Sequence, residues 1–352
     1  MSSPITFAEI LPIKQISSHK YTFNFSQDWC TGTVPSGGYV ASAFLIAART
    51  HMQLTHPSRQ QPDVINCHLT YLRPSSVGPV IITVQDVKLG SRISNLHLVL
   101  SQRRGSSLSD SELPINVQAS VIMSSIALEK GISHQTGYEL RPPRLPVDLA
   151  ALRENKDVHY IRRRPDAFSA YRRAARNVEM YFVRPEARTK DHSPALVDMW
   201  ACLVPVGLTD PGCWTNDALG FLADIFTGIN ERYANAEVED ALLRENTTDA
   251  ELASLMKQSS LGNGEARFWY PTLVLNLDVK KRLPAPGAGK EDAATMLFVR
   301  VQAKKILNGR MDLAVEIWDE SGDLVALSSH ASLIMDASRN MKRGAVKAGS
   351  KI

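Results

Sequence analysis

Asp224 has the sequence surroundings expected of a general base. It lies in a predicted helix over residues 218–233, and the helical period places it nearly opposite the apolar stripe Leu219, Leu222, Phe226 and Ile229. Gly220 and Gly228 beside it would let another chain segment approach closely. A carboxylate shielded from bulk water is a better base, because desolvation raises its pKa, and it can then take a proton from water. A carboxylate on a solvated helix face is the alternative that the pattern leaves open.

Gly37 and Gly38 open a second predicted helix, over residues 39–52, which is apolar nearly all round. Ser36 before them is the expected N-cap. Free N–H groups and the dipole at a helix N-terminus can polarise a carbonyl oxygen or hold a phosphate. We therefore expect Gly37, Gly38 and Tyr39 to bind substrate, although a tight turn that needs glycine for steric reasons would give the same pattern.

Thr272 begins a predicted strand, and its hydroxyl can donate to and accept from a water molecule, although an exposed strand threonine is the common alternative. Other chemistries find no support: the sequence has no GxSxG, no HExxH and no complete phosphate-binding loop, and residues 287–290 are interpreted as an ordinary loop. The four cysteines lie too far apart for metal knuckles, and eight of the nine histidines lack a carboxylate or cysteine partner at motif spacing. We expect reduced, mostly buried thiols and no metal or cofactor.

The composition is that of an ordinary globular protein. Of the 352 residues 44% are hydrophobic and 22% charged, which is enough for two cores of usual domain size. The net charge of +4 gives no strongly basic field, so nucleic acid is not an expected partner. The N-terminus lacks the features of a signal peptide and no segment could span a bilayer, so we expect a soluble intracellular protein, cytoplasmic by default.

Each predicted helix precedes a similar series of strands, which indicates an internal repeat. The alternation of apolar residues predicts strands over residues 63–71, 79–88, 93–102 and 115–126 in the first copy, and over 272–280, 295–306, 311–318 and 324–335 in the second. A polar turn over residues 319–323 predicts a hairpin. Leading strands are predicted over residues 20–25 in the first copy and over 178–182 and 196–204 in the second.

This organisation predicts two domains of α+β class, each an antiparallel sheet that wraps its helix. We place an N-terminal domain at residues 1–129, a Pro- and Arg-rich linker with one short helix at 130–174, a C-terminal domain at 175–337 and a flexible basic tail at 338–352. Pairing the two units edge to edge would make one continuous sheet.

Short motifs in both copies carry a family resemblance. In the first half they are Trp29 and residues 35–39, 68–74, 78–80 and 88–92; in the second half they are residues 222–224, 271–273 and 322–326. In this order and spacing the chain resembles the double-hotdog acyl-CoA thioesterases, including bacterial thioesterase II and the broader thioesterase-like superfamily. The resemblance covers nearly everything except the linker and the basic tail, and it implies two fused hotdog domains and an acyl-CoA or related thioester substrate.

In that family an Asp on the second hotdog helix, a Ser or Thr at the start of the next strand and a Gln on the last strand hold the catalytic water. The resemblance places the Asp at Asp224 and the Ser or Thr at Thr272, while His330 stands where the family has Gln. We therefore expect His330 to orient the water, and to make activity fall at acid pH because protonation removes the acceptor nitrogen of imidazole. A histidine that only packs is the alternative.

The histidine also leaves the reaction open. Hydrolysis of an acyl thioester is the leading expectation, while cyclisation or dehydration of a polyketide-like or acyl intermediate, and acyl binding without catalysis, are the alternatives. A homo-oligomer through the hotdog sheets is left open as well. The final residues Ser350, Lys351 and Ile352 differ from the peroxisomal Ser-Lys-Leu signal only by an aliphatic isomer, so peroxisomal delivery is an alternative to the cytosol.

Overall fold

The computed structural model of the protein describes residues 4–103, 113–165, 167–208, 210–225, 229–259, 266–284 and 293–341. The terminal tripeptide Ser350, Lys351 and Ile352, the loop over residues 287–290, and Phe226 and Gly228 lie outside the described residues. The helices are α1 (Phe7–Ile10), α2 (Gly37–Thr55), α3 (Leu149–Arg153), α4 (Leu219–Asp224), α5 (Ile229–Ala234), α6 (Ala236–Ala241), α7 (Asp249–Gln258) and α8 (Ser338–Met341).

Apolar residues alternate along most predicted strands, and the observed strands follow them closely. Before the chain midpoint they are β1 (Lys14–Ser17), β2 (Lys20–Phe25), β3 (Cys30–Thr31), β4 (Val34–Pro35), β5 (Asp63–Tyr71), β6 (Gly78–Leu89), β7 (Ser94–Ser101), β8 (Ile115–Ser124) and β9 (Tyr160–Arg162). After it they are β10 (Val178–Val183), β11 (Leu196–Leu203), β12 (Phe268–Trp269), β13 (Thr272–Val279), β14 (Met296–Gln302), β15 (Ile306–Leu307), β16 (Arg310–Trp318), β17 (Leu324–Leu333) and β18 (Met335–Asp336).

Within the described residues, 14 strands form one antiparallel sheet. Its order is β1-β2-β6-β7-β8-β5-β13-β17-β16-β14-β11-β10-β9, and β15 pairs with β16. The two halves of the chain meet where β5 pairs with β13, with Leu69 opposite Leu275. The expected edge-to-edge sheet is therefore confirmed.

Helix α2 is buried along most of its length, as its all-round apolar sequence predicts. The Ser36 side chain caps it by accepting a hydrogen bond from the Tyr39 N–H, as expected. The sheet of the first half packs around this helix through β5, β6, β7 and β8. All four cysteines are buried with free thiols, which confirms the expectation of reduced thiols.

The helix predicted over residues 218–233 is wrong in its length. Helix α4 ends at Asp224, because Ile225 has extended backbone angles, and the next described helix, α5, begins at Ile229. Asn216 does not cap this helix: its side chain accepts from the Leu283 N–H and donates to the Lys281 carbonyl. The break places Asp224 at a helix C-terminus rather than in mid-helix.

Helices α2 and α4 pack against each other in opposite directions. A Cβ atom on Gly38 would lie 2.8 Å from the Gly220 carbonyl oxygen, so only glycine permits this approach. Near the middle of the contact, Ser42 Oγ accepts a 2.9 Å hydrogen bond from the Phe221 N–H. The start of α2 therefore meets the end of α4.

The other end of this helix pair is closed by an ion pair. The Arg49 guanidinium donates two hydrogen bonds, of 3.0 and 2.6 Å, to the two oxygens of Asp217. Burial raises the pKa of Asp217, and Arg49 acts in the opposite direction. The paired geometry of guanidinium and carboxylate fixes this end of α4 against α2.

The segment predicted as a linker also contributes to the sheet. It contains the expected short helix, α3, and in addition β9, which pairs with β10 with Ile161 opposite Phe182. Tyr160 and Leu152 are fully buried against this end of the sheet. Among the residues that the structure describes, no helix is both long and apolar enough to cross a membrane.

Candidate active site

The Asp224 carboxylate lies where the two halves of the chain meet. Its Oδ2 accepts a 2.7 Å hydrogen bond from the Gly38 N–H in the first turn of α2. Its Oδ1 accepts a 3.0 Å hydrogen bond from Thr272 Oγ1 at the start of β13. The side chain is only 11% exposed. Both carboxylate oxygens are thus fixed, and the positive end of the α2 dipole faces them.

His330 lies behind this carboxylate on β17, with its Nδ1 3.4 Å from Asp224 Oδ1. Its Nε2 is 3.0 Å from Ser328 Oγ, and this hydroxyl donates a 2.6 Å hydrogen bond to the Asn276 carbonyl. Because the hydroxyl proton is used there, Ser328 accepts a hydrogen bond from Nε2–H. The other ring nitrogen, Nδ1, faces the Asp224 carboxylate.

Tyr71 joins the end of β5 to the start of α2. Its hydroxyl donates a 2.7 Å hydrogen bond to the Gly37 carbonyl oxygen. Burial, and secondly repulsion from the Asp224 carboxylate, raises the pKa of Tyr71 well above its ordinary value. The phenol therefore keeps its proton and remains a donor, which fixes the first residue of α2 beside the carboxylate.

A cavity of about 360 Å³ opens in front of Asp224 and Thr272. Its wall draws on both halves of the chain and is largely apolar. The apolar part includes Val34, Val40, Val117, Phe268, Leu333 and Met335. An apolar space that ends at a fixed carboxylate can hold a hydrocarbon group with its reactive end beside a base.

A second polar group borders this cavity. The Tyr270 hydroxyl donates to the buried Glu231 carboxylate, which also pairs with Arg172. Burial raises the pKa of Glu231, with Arg172 acting in the opposite direction. Burial, and then the Glu231 carboxylate, raises the pKa of Tyr270. The phenol thus stays a donor, and the Tyr270 and Arg172 side chains form a fixed polar edge of the cavity.

The structure brings Asp224, Thr272 and Gly37 together at the cavity. His330 is placed differently from expectation: its side chain is fully buried, it lies outside the cavity wall, and it faces Asp224 instead of the space where a water would bind. The Gly38 N–H is also not free for a carbonyl or a phosphate, because it donates to Asp224.

Tyr39 is placed away from the cavity, contrary to the sequence expectation. Its ring stacks on Trp29 with a centroid distance of 5.3 Å and lies 5.2 Å from the Phe25 ring. The residue is 1% exposed. The Tyr39 ring therefore belongs to the hydrophobic core. Its position after two glycines did not predict which way the side chain would point.

Tyr71 and Tyr270 were missed as cavity residues by sequence reasoning. Tyr71 ends the predicted strand over residues 63–71, and Tyr270 precedes the predicted strand that begins at Thr272. Tyr71 lies within the motif over residues 68–74 and Tyr270 directly precedes the one over residues 271–273, but neither tyrosine was given a role in the site. Tyr71 is the last residue of β5 and Tyr270 lies just before β13, so both line the cavity from the ends of strands.

Two family models match successive parts of the chain. The family described as "Acyl-CoA thioesterase N-terminal domain" matches residues 25–124, and the one described as "Acyl-CoA thioesterase C-terminal domain" matches residues 147–334. The thioesterase-like protein TwmA of Talaromyces wortmannii is 32% identical over 358 residues, which cover 97% of this chain and 96% of that protein.

Solved structures show the same fold. A putative thioesterase II from Thermobifida fusca YX superposes with a TM-score of 0.64 at 17% identity, and the match covers 95% of this chain and 99% of that one. A protein of unknown function with a hot dog fold from Alicyclobacillus acidocaldarius gives a TM-score of 0.62 at 15% identity, covering 94% and 99%. The fold is thus a double hotdog of α+β class. With both domain families matched in order, the chain belongs to the acyl-CoA thioesterase family.

Proposed function

We propose that this chain hydrolyses acyl-CoA or a related acyl thioester, with Asp224 as the general base. The observation that carries the proposal is the position of the carboxylate: it ends an apolar cavity, and each of its oxygens is held by a defined donor. Membership of the acyl-CoA thioesterase family supports a thioester as the substrate.

In this mechanism a water beside Asp224 gives a proton to the carboxylate while its oxygen attacks the thioester carbonyl carbon. The carbonyl π electrons move to the oxygen and form a tetrahedral oxyanion. When the carbonyl re-forms, the C–S bond breaks and the leaving thiolate takes the proton from Asp224. The products are a carboxylic acid and a free thiol, and no covalent bond to the protein is made.

The surrounding groups support these steps. Gly37 occupies the first helical position, whose N–H has no acceptor within the helix, so it is the backbone donor available to the oxyanion. Thr272 lies on the cavity wall and bonds to Asp224, so it positions the base and contacts the water. His330 acts through Asp224 as a positioning residue, since its side chain is fully buried behind the carboxylate.

The cavity wall supports an assignment of the two ends of the substrate. The apolar part accommodates the acyl chain, since burying a hydrocarbon group there is favourable by roughly 25 cal/mol per Å². Arg73 lines the cavity at an exposed position and offers a cation to a phosphate-bearing thiol carrier such as CoA.

The test is replacement of the base with its amide. Asp224→Asn keeps the size of the side chain but cannot take a proton from water, so thiol release from a panel of acyl-CoAs should fall ~10²–10⁴-fold. Asp278→Asn is the matched control, because Asp278 is a 44% exposed carboxylate on β13, in the same half of the chain. Wild-type turnover by Asp224→Asn with any acyl-CoA would show that the base is assigned wrongly.

One observation supports a second candidate reaction. His330 contacts Asp224 where the family has Gln, and an imidazole beside a carboxylate can move a proton during cyclisation or dehydration of an acyl intermediate. Mass spectrometry of the same incubations separates the candidates. Thiol release indicates hydrolysis, an altered acyl group without thiol release indicates the second reaction, and unchanged bound substrate indicates acyl binding alone.

A further inference from the structure

Three histidine rings converge on one carboxylate at the far end of α2. The Nε2 atoms of His51 and His56 lie 2.8 Å from oxygens of Asp86, and the Nε2 of His19 lies 3.0 Å from it. We call these four residues the His₃Asp cluster. One ligand atom from each residue lies within 4.8 Å of all the others. The proposed reaction uses none of these residues.

The cluster joins three separate elements. His51 lies in the last turns of α2, and His56 follows the end of that helix. His19 is in the turn between β1 and β2, and Asp86 is on β6, where a register shift follows it. Motif spacing along the sequence could not reveal this group, since His19 and Asp86 are 67 positions apart.

The Nδ1 atoms of His51 and His19 have hydrogen-bond partners outside the cluster, as the second nitrogen of a metal-binding histidine usually does. His51 Nδ1 lies 3.1 Å from the Ser18 carbonyl oxygen, which can only accept, so a bond there requires Nδ1–H. That tautomer directs the Nε2 lone pair at the centre of the cluster. His19 Nδ1 lies 2.9 Å from Ser18 Oγ, which orients that ring as well.

We propose that the His₃Asp cluster binds one divalent transition-metal ion of the zinc type. Three imidazoles and one carboxylate supply four nitrogen and oxygen ligands, the number in a closed structural zinc site. Ligand atoms of a tetrahedral zinc site lie roughly 3.3 Å apart. The nitrogens would therefore move about 0.3–0.5 Å away from the carboxylate oxygens, and ligand atoms that are now as much as 4.8 Å apart would approach one another by up to about 1.5 Å.

The burial of the cluster fits a structural metal. The side chain of His51 is fully buried, whereas those of His56 and Asp86 are 20% and 19% exposed and that of His19 is 42% exposed, which leaves a route for the ion. The ion would clamp the β1–β2 hairpin and β6 onto the end of α2. His51 is 13 residues from Gly38, roughly 20 Å along the helix from the Asp224 carboxylate, so a bound metal would not touch substrate.

The competing explanation is that hydrogen bonds, without a metal ion, hold the three histidines around Asp86. The Tyr21 hydroxyl is 3.0 Å from His51 Nδ1, and if it donates there, the ring gives its Nε2–H to Asp86 instead. In that arrangement hydrogen bonds alone hold the cluster together, and no metal ion is needed. Metal uptake therefore separates the two accounts directly.

The experiment titrates chelator-treated, metal-free protein with Zn²⁺ by calorimetry. We expect one ion per chain and a rise in the melting temperature with Zn²⁺ concentration, because the ion binds the folded state. His51 is left intact since it is buried, and the partly exposed ligands are replaced in the double variant His19→Gln/His56→Gln. Its affinity should fall at least ~10-fold, because losing even an outer-sphere partner costs that much. His134→Gln, at an exposed position of the connecting segment, is the matched control and should bind like the wild type.

A measurement on the unaltered chain guards against a variant that fails to fold. Co²⁺ in place of Zn²⁺ should give the intense visible absorption of a four-coordinate site, and X-ray absorption of the zinc form should show imidazole nitrogens at about 2.0–2.1 Å. Absence of saturable binding by the wild type, a six-coordinate Co²⁺ spectrum, or equal affinity of the folded double variant would each overturn the proposal.

Discussion

The contact between the two helices at the site makes Gly38→Ala the most informative single substitution. The added Cβ would lie 2.8 Å from the backbone oxygens of Gly220 and Phe221 and 2.9 Å from Asp224 Cβ. Ordinary contact begins at 3.4 Å, so α2 and α4 would have to separate by about 0.6 Å. Overpacking of this kind costs about 1–3 kcal/mol of folding free energy. The shift also moves the carboxylate, and since a misplacement of about 1 Å can cost about 100-fold in rate, we expect kcat/KM to fall on the order of tenfold.

The assay compares thiol release and thermal unfolding of Gly38→Ala with those of Gly131→Ala. A Cβ atom on Gly131 meets nothing within 4 Å, so this control should match the wild type in both measurements. Separation of the helices predicts that Gly38→Ala loses activity and stability together. Unchanged kcat/KM with an unchanged melting temperature would refute the argument, because it would mean that the close approach of α2 and α4 places no constraint on Asp224.

Two further predictions concern buried groups at the site and in the core. His330→Ala should lower kcat/KM, because it removes the buried ring whose Nδ1 lies 3.4 Å from Asp224 Oδ1 and leaves a cavity behind the proposed base; wild-type kcat/KM in the folded variant would exclude a positioning role. Arg300 and Asp198 form a buried ion pair with hydrogen bonds of 2.7 and 2.6 Å. Asp198→Ala leaves the Arg300 charge buried without its partner, so the free energy of unfolding, measured in urea, should fall by about 3–5 kcal/mol. Asp278→Ala breaks an exposed pair with Lys280, so it should lower the free energy of unfolding by only about 0–1 kcal/mol. Equal losses in the two variants would show that burial does not set the cost of breaking these pairs.

The strands were predictable because alternation of apolar residues reports a half-buried strand directly. The predicted strands over residues 20–25 and 63–71 coincide with β2 and β5. The early end of α4 was not predictable in this way, since the apolar period of the sequence continues past Ile225, where the backbone becomes extended.

The site was predictable in part. The resemblance singled out Asp224 and Thr272, which the structure places in hydrogen-bond contact, although their catalytic roles remain proposals. It also singled out His330, but which side of the carboxylate this ring occupies depends on the register of β17 against β13 and β16. Tyr39 shows the limit of position in a motif, since its ring packs in the core. Groups assembled from distant segments, such as the His₃Asp cluster, give no signal in local spacing.

The Arg49–Asp217 pair bears on how many sites one chain can offer. The antiparallel contact of α2 and α4 has two ends, and a carboxylate lies near each of them: Asp224 is the last residue of α4, and Asp217 lies in the turn just before its start. At one end Asp224 accepts hydrogen bonds from the Gly38 N–H and the Thr272 hydroxyl and borders the cavity. At the other end the guanidinium of Arg49 neutralises Asp217 and holds both of its oxygens. On the proposed assignment the described residues offer one site of this kind, and titration with a tightly bound substrate analogue should count one equivalent per polypeptide.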